Sequence, residues 1–345
     1  MKSQGTTGKL FLLAFTLAFA SAAPAGPVLT SAGSTAGFGL TRFAYNFPTQ
    51  TIGGLGVGPL GIAFPIAQGG PVMVSDSVGN VRIFAIDVDN QDASTASIAT
   101  PGGSVVGPNY GNLGALGLAK AGNFVFATNQ PGGEIRKLNL DGTFNSSLTT
   151  GITNATGITF NPTDGNLYVT TVGNGIWRVN PSTGAKFKLS HTGNLSFDGL
   201  IIDATGTKLY AAESNSVRGY DLLLSTQFFT TGTIPGDPDG VELGYGNLAN
   251  EIFVNFNSGE LWQFNLSNPS SKVMLTTGGT RGDFVAADGC SLLFTQSSEI
   301  WRLGAPTGGC IGVNTTPEPS SLWLVALPLL AMGRKWIKYS NGGPS

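Results

Sequence analysis

The chain has 345 residues, of which 51 are glycine, about twice the usual share, and only 11% carry a charged side chain. Glycine, asparagine, serine and threonine are spread along the chain, which favours many short strands joined by tight turns and argues against a disordered linker. The 18 Lys and Arg residues are outnumbered by 20 Asp and Glu residues, so nucleic-acid binding is not expected.

The first 22 residues have the three parts of a secretory signal peptide. Lys2 and Lys9 are basic, Leu10–Phe19 is an apolar run, and Ala20–Ala22 supplies the small residues that signal peptidase recognises. The apolar run is too short to span a bilayer. We therefore predict cleavage near Ala22 and export, with a buried N-terminal helix as the alternative. Residues 23–37 are expected to form a flexible segment.

A unit of about 42 residues recurs through the middle of the chain, and each unit holds three strand-length apolar runs and a looser fourth. Each unit also has a glycine just before or within its first run. These glycines are Gly61, Gly117, Gly157, Gly199, Gly240 and Gly282, with spacings of 56, 40, 42, 41 and 42 residues. The longer first spacing predicts an insertion within residues 88–112.

Four short strands per unit at this period are typical of a propeller blade. The six units predict an all-β, six-bladed β-propeller over residues 38–310, with seven blades as the alternative. The last unit lacks one strand, and Phe38–Phe47 has a strand pattern. We predict that this N-terminal strand completes the last blade, because an unclosed ring would expose two sheet edges.

Two parts of the repeat resemble known propeller families. Val74–Phe84 resembles an NHL strand pair, while Thr156-Gly157 and Asp198-Gly199, each followed by an apolar strand and Leu-Tyr, resemble gluconolactonase-like repeats. The resemblance extends over about residues 59–303. It implies a central channel, and in gluconolactonase-like enzymes metal ligands stand at such channel positions.

Acidic residues are expected at one mouth of this channel. The residues before the six glycines are Leu60, Leu116, Thr156, Asp198, Asp239 and Arg281. Asp198 and Asp239 match the metal-ligand positions of the resemblance, and Asp283, Glu213, Asp237 and Asp76 could lie on the same face. Such carboxylates could hold Ca²⁺, although no cofactor is required by the pattern. The resemblance also implies a glutamate ligand from the first blade, whereas this blade offers Leu60 and no glutamate. The alternative is that the acidic residues cap turns.

The two cysteines, Cys290 and Cys310, form an even set in a chain that carries an export signal. We predict a disulfide between them, with two free thiols as the alternative. A zinc site is not expected, because His191 is the only histidine.

The C-terminal segment, residues 311–345, combines three features in a fixed order. Pro317, Glu318 and Pro319 come first, the apolar run Leu322–Met332 follows, and Arg334, Lys335 and Lys338 are basic. This order resembles the PEP-CTERM sorting signal. The resemblance implies a transient inner-membrane helix over residues 322–332 and recognition of Pro317–Pro319 by an exosortase-type membrane protease. The basic cluster over 334–338 is expected on the cytoplasmic side.

Without both end segments, 13 Lys and Arg and 19 Asp and Glu residues remain, a net charge of −6. The sequence therefore favours an exported module at the outer surface or in the extracellular matrix that binds an exopolysaccharide or a surface protein. A metal-dependent lactonase of the gluconolactonase-like kind is the alternative, and a purely structural module is a third. No catalytic residue is predicted, since the fold alone does not determine a reaction.

Overall fold

A computed structural model of the chain describes residues 26–52, 54–66, 69–99, 116–130 and 132–312. The predicted signal peptide and the sorting motif Pro317–Pro319 lie outside these residues. Within the described part, no helix is long and apolar enough to cross a membrane. The first elements in chain order are β1 (Val28–Leu29), α1 (Ser31–Thr35), β2 (Gly39–Tyr45), β3 (Gln50–Ile52) and β4 (Leu55–Val57).

Six antiparallel sheets follow one another around a ring, and the inner strand of each contacts the inner strand of the next. Blade 1 contains β5 (Pro59–Ala63), β6 (Val72–Asp76) and β7 (Val81–Phe84); after β8 (Gln91–Asp92) it is completed by β9 (Ser97–Ala99). Blade 2 contains β10 (Leu118–Ala121), β11 (Phe124–Asn129), β12 (Glu134–Leu138) and β13 (Phe144–Thr149). Blade 3 contains β14 (Ala155–Asn161), β15 (Asn166–Thr171), β16 (Ile176–Val179) and β17 (Lys186–Lys188).

The second half of the ring repeats the same meander. Blade 4 contains β18 (Phe197–Ile202), β19 (Lys208–Glu213), β20 (Ser216–Asp221) and β21 (Thr226–Thr230). Blade 5 contains β22 (Pro238–Gly246), β23 (Glu251–Phe256), β24 (Leu261–Asn265) and β25 (Lys272–Thr277). Blade 6 contains β26 (Val285–Asp288), β27 (Ser291–Thr295) and β28 (Ile300–Gly304), and β29 (Gly309–Ile311) ends the described chain. The prediction of six blades is confirmed, and the seven-bladed alternative is wrong.

The ring is closed by the N-terminal strand. β2 pairs antiparallel with β28 and so supplies the outer strand that blade 6 lacks, as the sequence predicts. The short strand β8, which lies within the insertion of blade 1, adds to β2 in parallel. Phe43 on β2 packs edge-on against Phe84 of blade 1, with 5.3 Å between the ring centroids. The closing strand therefore contributes apolar packing as well as backbone hydrogen bonds.

Residues 28–35 belong to the fold, which corrects the expectation of a flexible segment over 23–37. β1 extends blade 5 by pairing with β25. Thr30 accepts a hydrogen bond from the Gly33 amide at 3.0 Å, which caps α1, and donates one to the Met274 carbonyl at 2.6 Å. A Cβ at Gly33 would lie 2.7 Å from the Leu275 carbonyl oxygen, so only glycine allows α1 to pack this closely on blade 5.

The C-terminal end is also attached to blade 5. β29 pairs with the end of β22 at Gly244–Gly246. Cys310 on β29 forms a disulfide with Cys290, which lies in the turn between β26 and β27 of blade 6. Ile311 is fully buried. The propeller therefore extends to residue 311, one residue beyond the predicted boundary, and the disulfide joins the strand added to blade 5 with blade 6.

Removing the Phe43 ring is expected to destabilise the propeller by about 3–5 kcal/mol, the usual cost of truncating a fully buried phenylalanine. The Phe43→Ala variant leaves a cavity between the closing strand and blade 1, so urea unfolding should show a lower midpoint. Phe187→Ala is the matched control, because Phe187 is 58% exposed. Its unfolding free energy should stay within about 0.5 kcal/mol of wild type. Equal losses in both variants would contradict a role for β2 in closing the ring.

Candidate functional site

The inner strands place one residue of each blade at one mouth of the central channel. A register shift, typical of a β-bulge, interrupts the pairing of β18 between Phe197 and Leu200 and that of β22 between Pro238 and Gly240. A bulge turns a side chain out of the regular alternation of a strand. In this way Asp198 and Asp239 stand at the bulges, and the glycine after each aspartate lines the channel.

The glycines are needed because neighbouring inner strands approach each other closely. A Cβ on Gly117 would lie 2.7 Å from the Thr156 carbonyl oxygen, and one on Gly240 would lie 2.7 Å from that of Asp283. The same relation holds between Gly199 and Asp239. The carbonyl that faces each glycine therefore belongs to the mouth residue of the next blade. This defines the channel mouth by six residues: Leu60, Leu116, Thr156, Asp198, Asp239 and Asp283.

This relation corrects the sequence prediction for blade 6. Gly282 was expected at the glycine position and Arg281 at the mouth, but it is Asp283 whose carbonyl faces Gly240 and Phe284 that lines the channel. The triplet Asp283-Phe284-Val285 thus repeats Asp239-Gly240-Val241 with phenylalanine in place of glycine. Matching the units by their acidic residue would have found this register, which a search for glycine misses.

Three neighbouring blades therefore bring their aspartates together. Asp239 and Asp283 are 4% and 3% exposed, and Asp198 is partly buried. Asp237 is exposed, and its carboxylate accepts a hydrogen bond from the Asn257 side-chain amide at 3.1 Å. Arg281 donates from Nε at 3.0 Å and from Nη2 at 2.8 Å to Oδ1 of Asp283. The cluster thus contains four aspartates and one arginine.

The carboxyl groups of the cluster resist ionisation. Burial, followed by the charges of Asp237 and Asp283, raises the pKa of Asp198 to about 7. Burial and the charges of Asp198 and Asp283 raise the pKa of Asp239 well above its usual value, although Arg281 opposes the shift. Burial also raises the pKa of Asp283, again against the effect of Arg281. One guanidinium is too little positive charge for these carboxyl groups, so they compete for protons.

Several buried oxygen atoms around the cluster have no hydrogen-bond donor. Oδ2 of Asp283 is one of them: Nε and Nη2 of Arg281 donate to Oδ1, and the neighbouring Asp239 carboxyl group can donate to Asp283 only while it holds a proton. Oδ1 of Asn255 is another, because the Asn255 amide group donates to the carbonyls of Asp283 and Thr295. Oδ1 of Asn257 is the third. A buried acceptor without a donor is uncommon and marks a place where a ligand can supply one.

The opposite side of the mouth is apolar. Leu60 and Leu116 occupy the mouth positions of blades 1 and 2, and they form one buried cluster with Phe284 and Val57. Thr156 lies between the two halves and donates to the Phe197 carbonyl at 2.8 Å. The mouth therefore has an acidic half and an apolar half, which the sequence did not predict because Phe284 was assigned to another register.

Glu213 is not part of the acidic cluster. It lies at the end of β19, where its carboxylate accepts hydrogen bonds from the Arg218 guanidinium and, at 2.7 Å, from the Ser216 hydroxyl. Asp76 in blade 1 is bound in a similar way by Arg82, with 2.8 Å between Nε and Oδ2. Both acids therefore stabilise their own hairpins. In the part of the chain that the structure describes, no group of three or more His, Cys, Asp or Glu side chains has an arrangement that could hold a metal ion.

Comparisons with known proteins bear on the fold. No family model matches the sequence, and no curated protein does. The chain is similar to one in the crystal structure of a nidogen/laminin complex, with 18% identity and a TM-score of 0.54 over 72% of this chain and 97% of that one. A chain of the mitotic checkpoint complex is 12% identical, with a TM-score of 0.48 over 68% of this chain and 72% of that one. The computationally designed Ika8 protein is 10% identical, with a TM-score of 0.45 over 72% and 71%.

The similarity to the nidogen/laminin chain shows a shared β-propeller fold. The identity of 18% extends this no further than the fold. The ligand of the propeller has to be argued from the channel mouth itself.

The acidic cluster is expected to make the propeller less stable as the pH rises from 4 to 7. The native carboxyl groups keep protons that the unfolded chain releases in this interval, so the free energy of unfolding falls with rising pH until the native groups ionise as well. Asp198→Asn removes one of these groups and should raise the free energy of unfolding at pH 8 by about 1–2 kcal/mol relative to wild type. Urea unfolding at pH 4.5, 6 and 8 measures the effect.

Two comparisons isolate this effect. Burial also raises the pKa of Glu242 to about 7, so every mouth variant keeps some pH dependence of stability from Glu242. The relevant quantity is therefore the difference in unfolding free energy between each variant and wild type. Asp141→Asn is the control, because hydrogen bonds from Thr143 lower the pKa of this exposed carboxylate. A variant at Asp198 that follows the wild-type curve at every pH would contradict the charge competition.

Proposed function

We propose that this chain is an exported, non-enzymatic β-propeller of the cell surface or extracellular matrix that binds its partner at the channel mouth. The observation that carries the proposal is the cluster of Asp198, Asp239 and Asp283, in which buried carboxyl groups and unpaired acceptors are held without enough positive charge. Such an arrangement costs stability, and it is typical of a site whose ligand supplies the missing charge.

The sequence and the disulfide support export. The signal peptide over residues 1–22 would deliver the chain to the translocation machinery, where signal peptidase removes it. The disulfide between Cys290 and Cys310 persists in the oxidising compartments that an exported chain enters. The PEP-CTERM type segment would then hold the protein transiently in the inner membrane until an exosortase-type protease acts at Pro317–Pro319. An exopolysaccharide or a surface protein is the expected partner.

Deletion of residues 2–22 is expected to leave the protein in the cytoplasm with free thiols at Cys290 and Cys310, because export and oxidation are coupled. Glu318→Ala should leave export intact and prevent removal of the C-terminal segment, so the exported protein keeps its full C-terminal mass. Cell fractionation, thiol labelling and mass spectrometry measure both effects. Pro344→Ala, outside the motif, is the control. Normal processing of the Glu318→Ala protein would contradict exosortase-type sorting.

Substitution of two mouth aspartates is expected to weaken binding to the surface matrix of the producing cells. Asp239→Asn together with Asp283→Asn keeps the shape of both side chains and removes their charge, so the apparent Kd should rise about tenfold or more. Sedimentation of the purified protein with isolated matrix measures this, and Asp141→Asn is the matched control. Equal binding by both variants would contradict binding at the mouth.

A metal-dependent lactonase is the second candidate, and the convergence of Asp198, Asp239 and Asp283 is the observation that favours it. The mouth positions of blades 1 and 2 are Leu60 and Leu116, so they add no carboxylate to a ligand set. Lactone hydrolysis that requires added Ca²⁺ and is lost in the Asp239→Asn/Asp283→Asn protein would establish this candidate in place of the binding module.

A further inference from the structure

We infer that the channel mouth captures a single basic side chain, that of a lysine or arginine, from a partner protein. The inference rests on the proposed binding function and names the chemistry of its ligand. It is carried by three independent features of the mouth: unpaired acceptors, a resident arginine, and an apolar wall opposite the acids.

The unpaired acceptors call for a hydrogen-bond donor. Oδ2 of Asp283 and Oδ1 of Asn255 are both buried, and these residues are only 3% and 0% exposed. Neither oxygen accepts from an N–H group, and the Asp239 carboxyl group can donate to Asp283 only while it is protonated. The orientation of the Asn255 amide is fixed, because its nitrogen donates to two backbone carbonyls. Lysine and arginine side chains offer several N–H donors and no acceptor, so they complement buried oxygen atoms that lack an N–H donor.

The chain itself shows how such a side chain binds here. Arg281 directs its guanidinium onto Oδ1 of Asp283, and its side chain is only 16% exposed. One arginine faces the four carboxyl groups of Asp198, Asp237, Asp239 and Asp283, so Asp198 and Asp239 ionise only against the repulsion of their acidic neighbours. A second cation in this place would offset the repulsion between the carboxylates.

The apolar half of the mouth favours a charged group that is attached to an apolar stem. Leu60, Leu116 and Phe284 lie around the same rim as the aspartates. A lysine or arginine has an aliphatic stem that packs on apolar surface while its charged end reaches the acids. A bare divalent cation gains nothing from such a wall, and the residues described provide no arrangement that could hold a metal.

The inference is tested with short probes on the purified full-length protein. The peptide acetyl-Gly-Lys-Gly-amide is titrated by calorimetry, and acetyl-Gly-norleucine-Gly-amide, which keeps the stem and lacks the charge, is the matched ligand. We expect the lysine peptide to bind at least about tenfold more tightly than the norleucine peptide. Its affinity should fall between pH 8 and pH 6, because protonation of Asp198, Asp239 and Asp283 removes the charges that attract it; Asp237 and Arg281 are the other charged groups of the cluster.

The protein variants separate the mouth from the rest of the surface. Asp239→Asn/Asp283→Asn should abolish binding of the lysine peptide, and Asp141→Asn should leave it unchanged. Asp198→Asn is a single substitution that is expected to weaken binding and to reduce its pH dependence, which keeps the test valid if the double variant unfolds. Circular dichroism establishes that each variant is folded.

Four outcomes overturn the inference: no binding of the lysine peptide at millimolar concentration, equal binding of the norleucine peptide, tighter binding of a glucosamine oligomer, or Ca²⁺ binding that depends on the mouth aspartates and excludes the lysine peptide. The matrix assay distinguishes this failure from failure of the proposed function. If the Asp239→Asn/Asp283→Asn protein loses matrix binding and the lysine peptide still does not bind, the mouth remains the binding site and only its ligand class is wrong.

Discussion

The close contact between neighbouring inner strands determines most of this structure. At each such contact the second strand of a blade places one residue behind the inner strand. In three blades this residue has a hydroxyl group that donates to the carbonyl of the next blade's mouth residue. The pairs are Ser75 to Leu116, Thr128 to Thr156 and Thr170 to Asp198. Asn255 does the same for Asp283 with its amide group. These bonds require the glycine contacts, since a Cβ would separate the strands. The ring therefore fixes the backbone of the mouth before any ligand arrives.

The junction between blades 4 and 5 departs from this pattern. The equivalent residue of blade 4 is Ala212, which has no polar group to donate to the Asp239 carbonyl, and Asp198 and Asp239 repel each other across the same junction. Blade 5 has other attachments. It receives β1 on its outer edge and β29 on its inner strand, and the disulfide of β29 ties it to blade 6. The additions from both chain ends thus lie on a blade that carries the acidic cluster.

The repeat spacing was sufficient to predict the propeller, its six blades and the closing strand, because all three depend on regular intervals and on the need to protect sheet edges. The ordered segment with β1 and α1 was missed, since its short strand has no periodicity and is stabilised by blade 5 through Thr30 and Gly33. The glycine spacing also led to Asp198 and Asp239, whose carboxyl groups lie close enough in the structure to interact. Asp283 was expected on the same face but not at the mouth position of blade 6, because Phe284 stands where the other blades have the glycine that defines the repeat. Glu213 was expected on the same face as a possible ligand, and sequence spacing does not reveal that Arg218 lies beside it and binds its carboxylate.

Phe284 has a consequence for selectivity that the glycine pattern would not allow. In five blades the residue after the mouth position is glycine, so the channel wall there is backbone, whereas blade 6 places an aromatic ring beside Leu60 and Leu116. Phe284 follows directly after Asp283, whose carboxylate accepts hydrogen bonds from Arg281. An aromatic ring and a carboxylate on consecutive residues therefore border the two halves of the mouth, and a ligand that contacts both must combine apolar surface with positive charge. This pairing favours a basic side chain over a hydrated metal ion, because only the former gains from apolar contact and charge together.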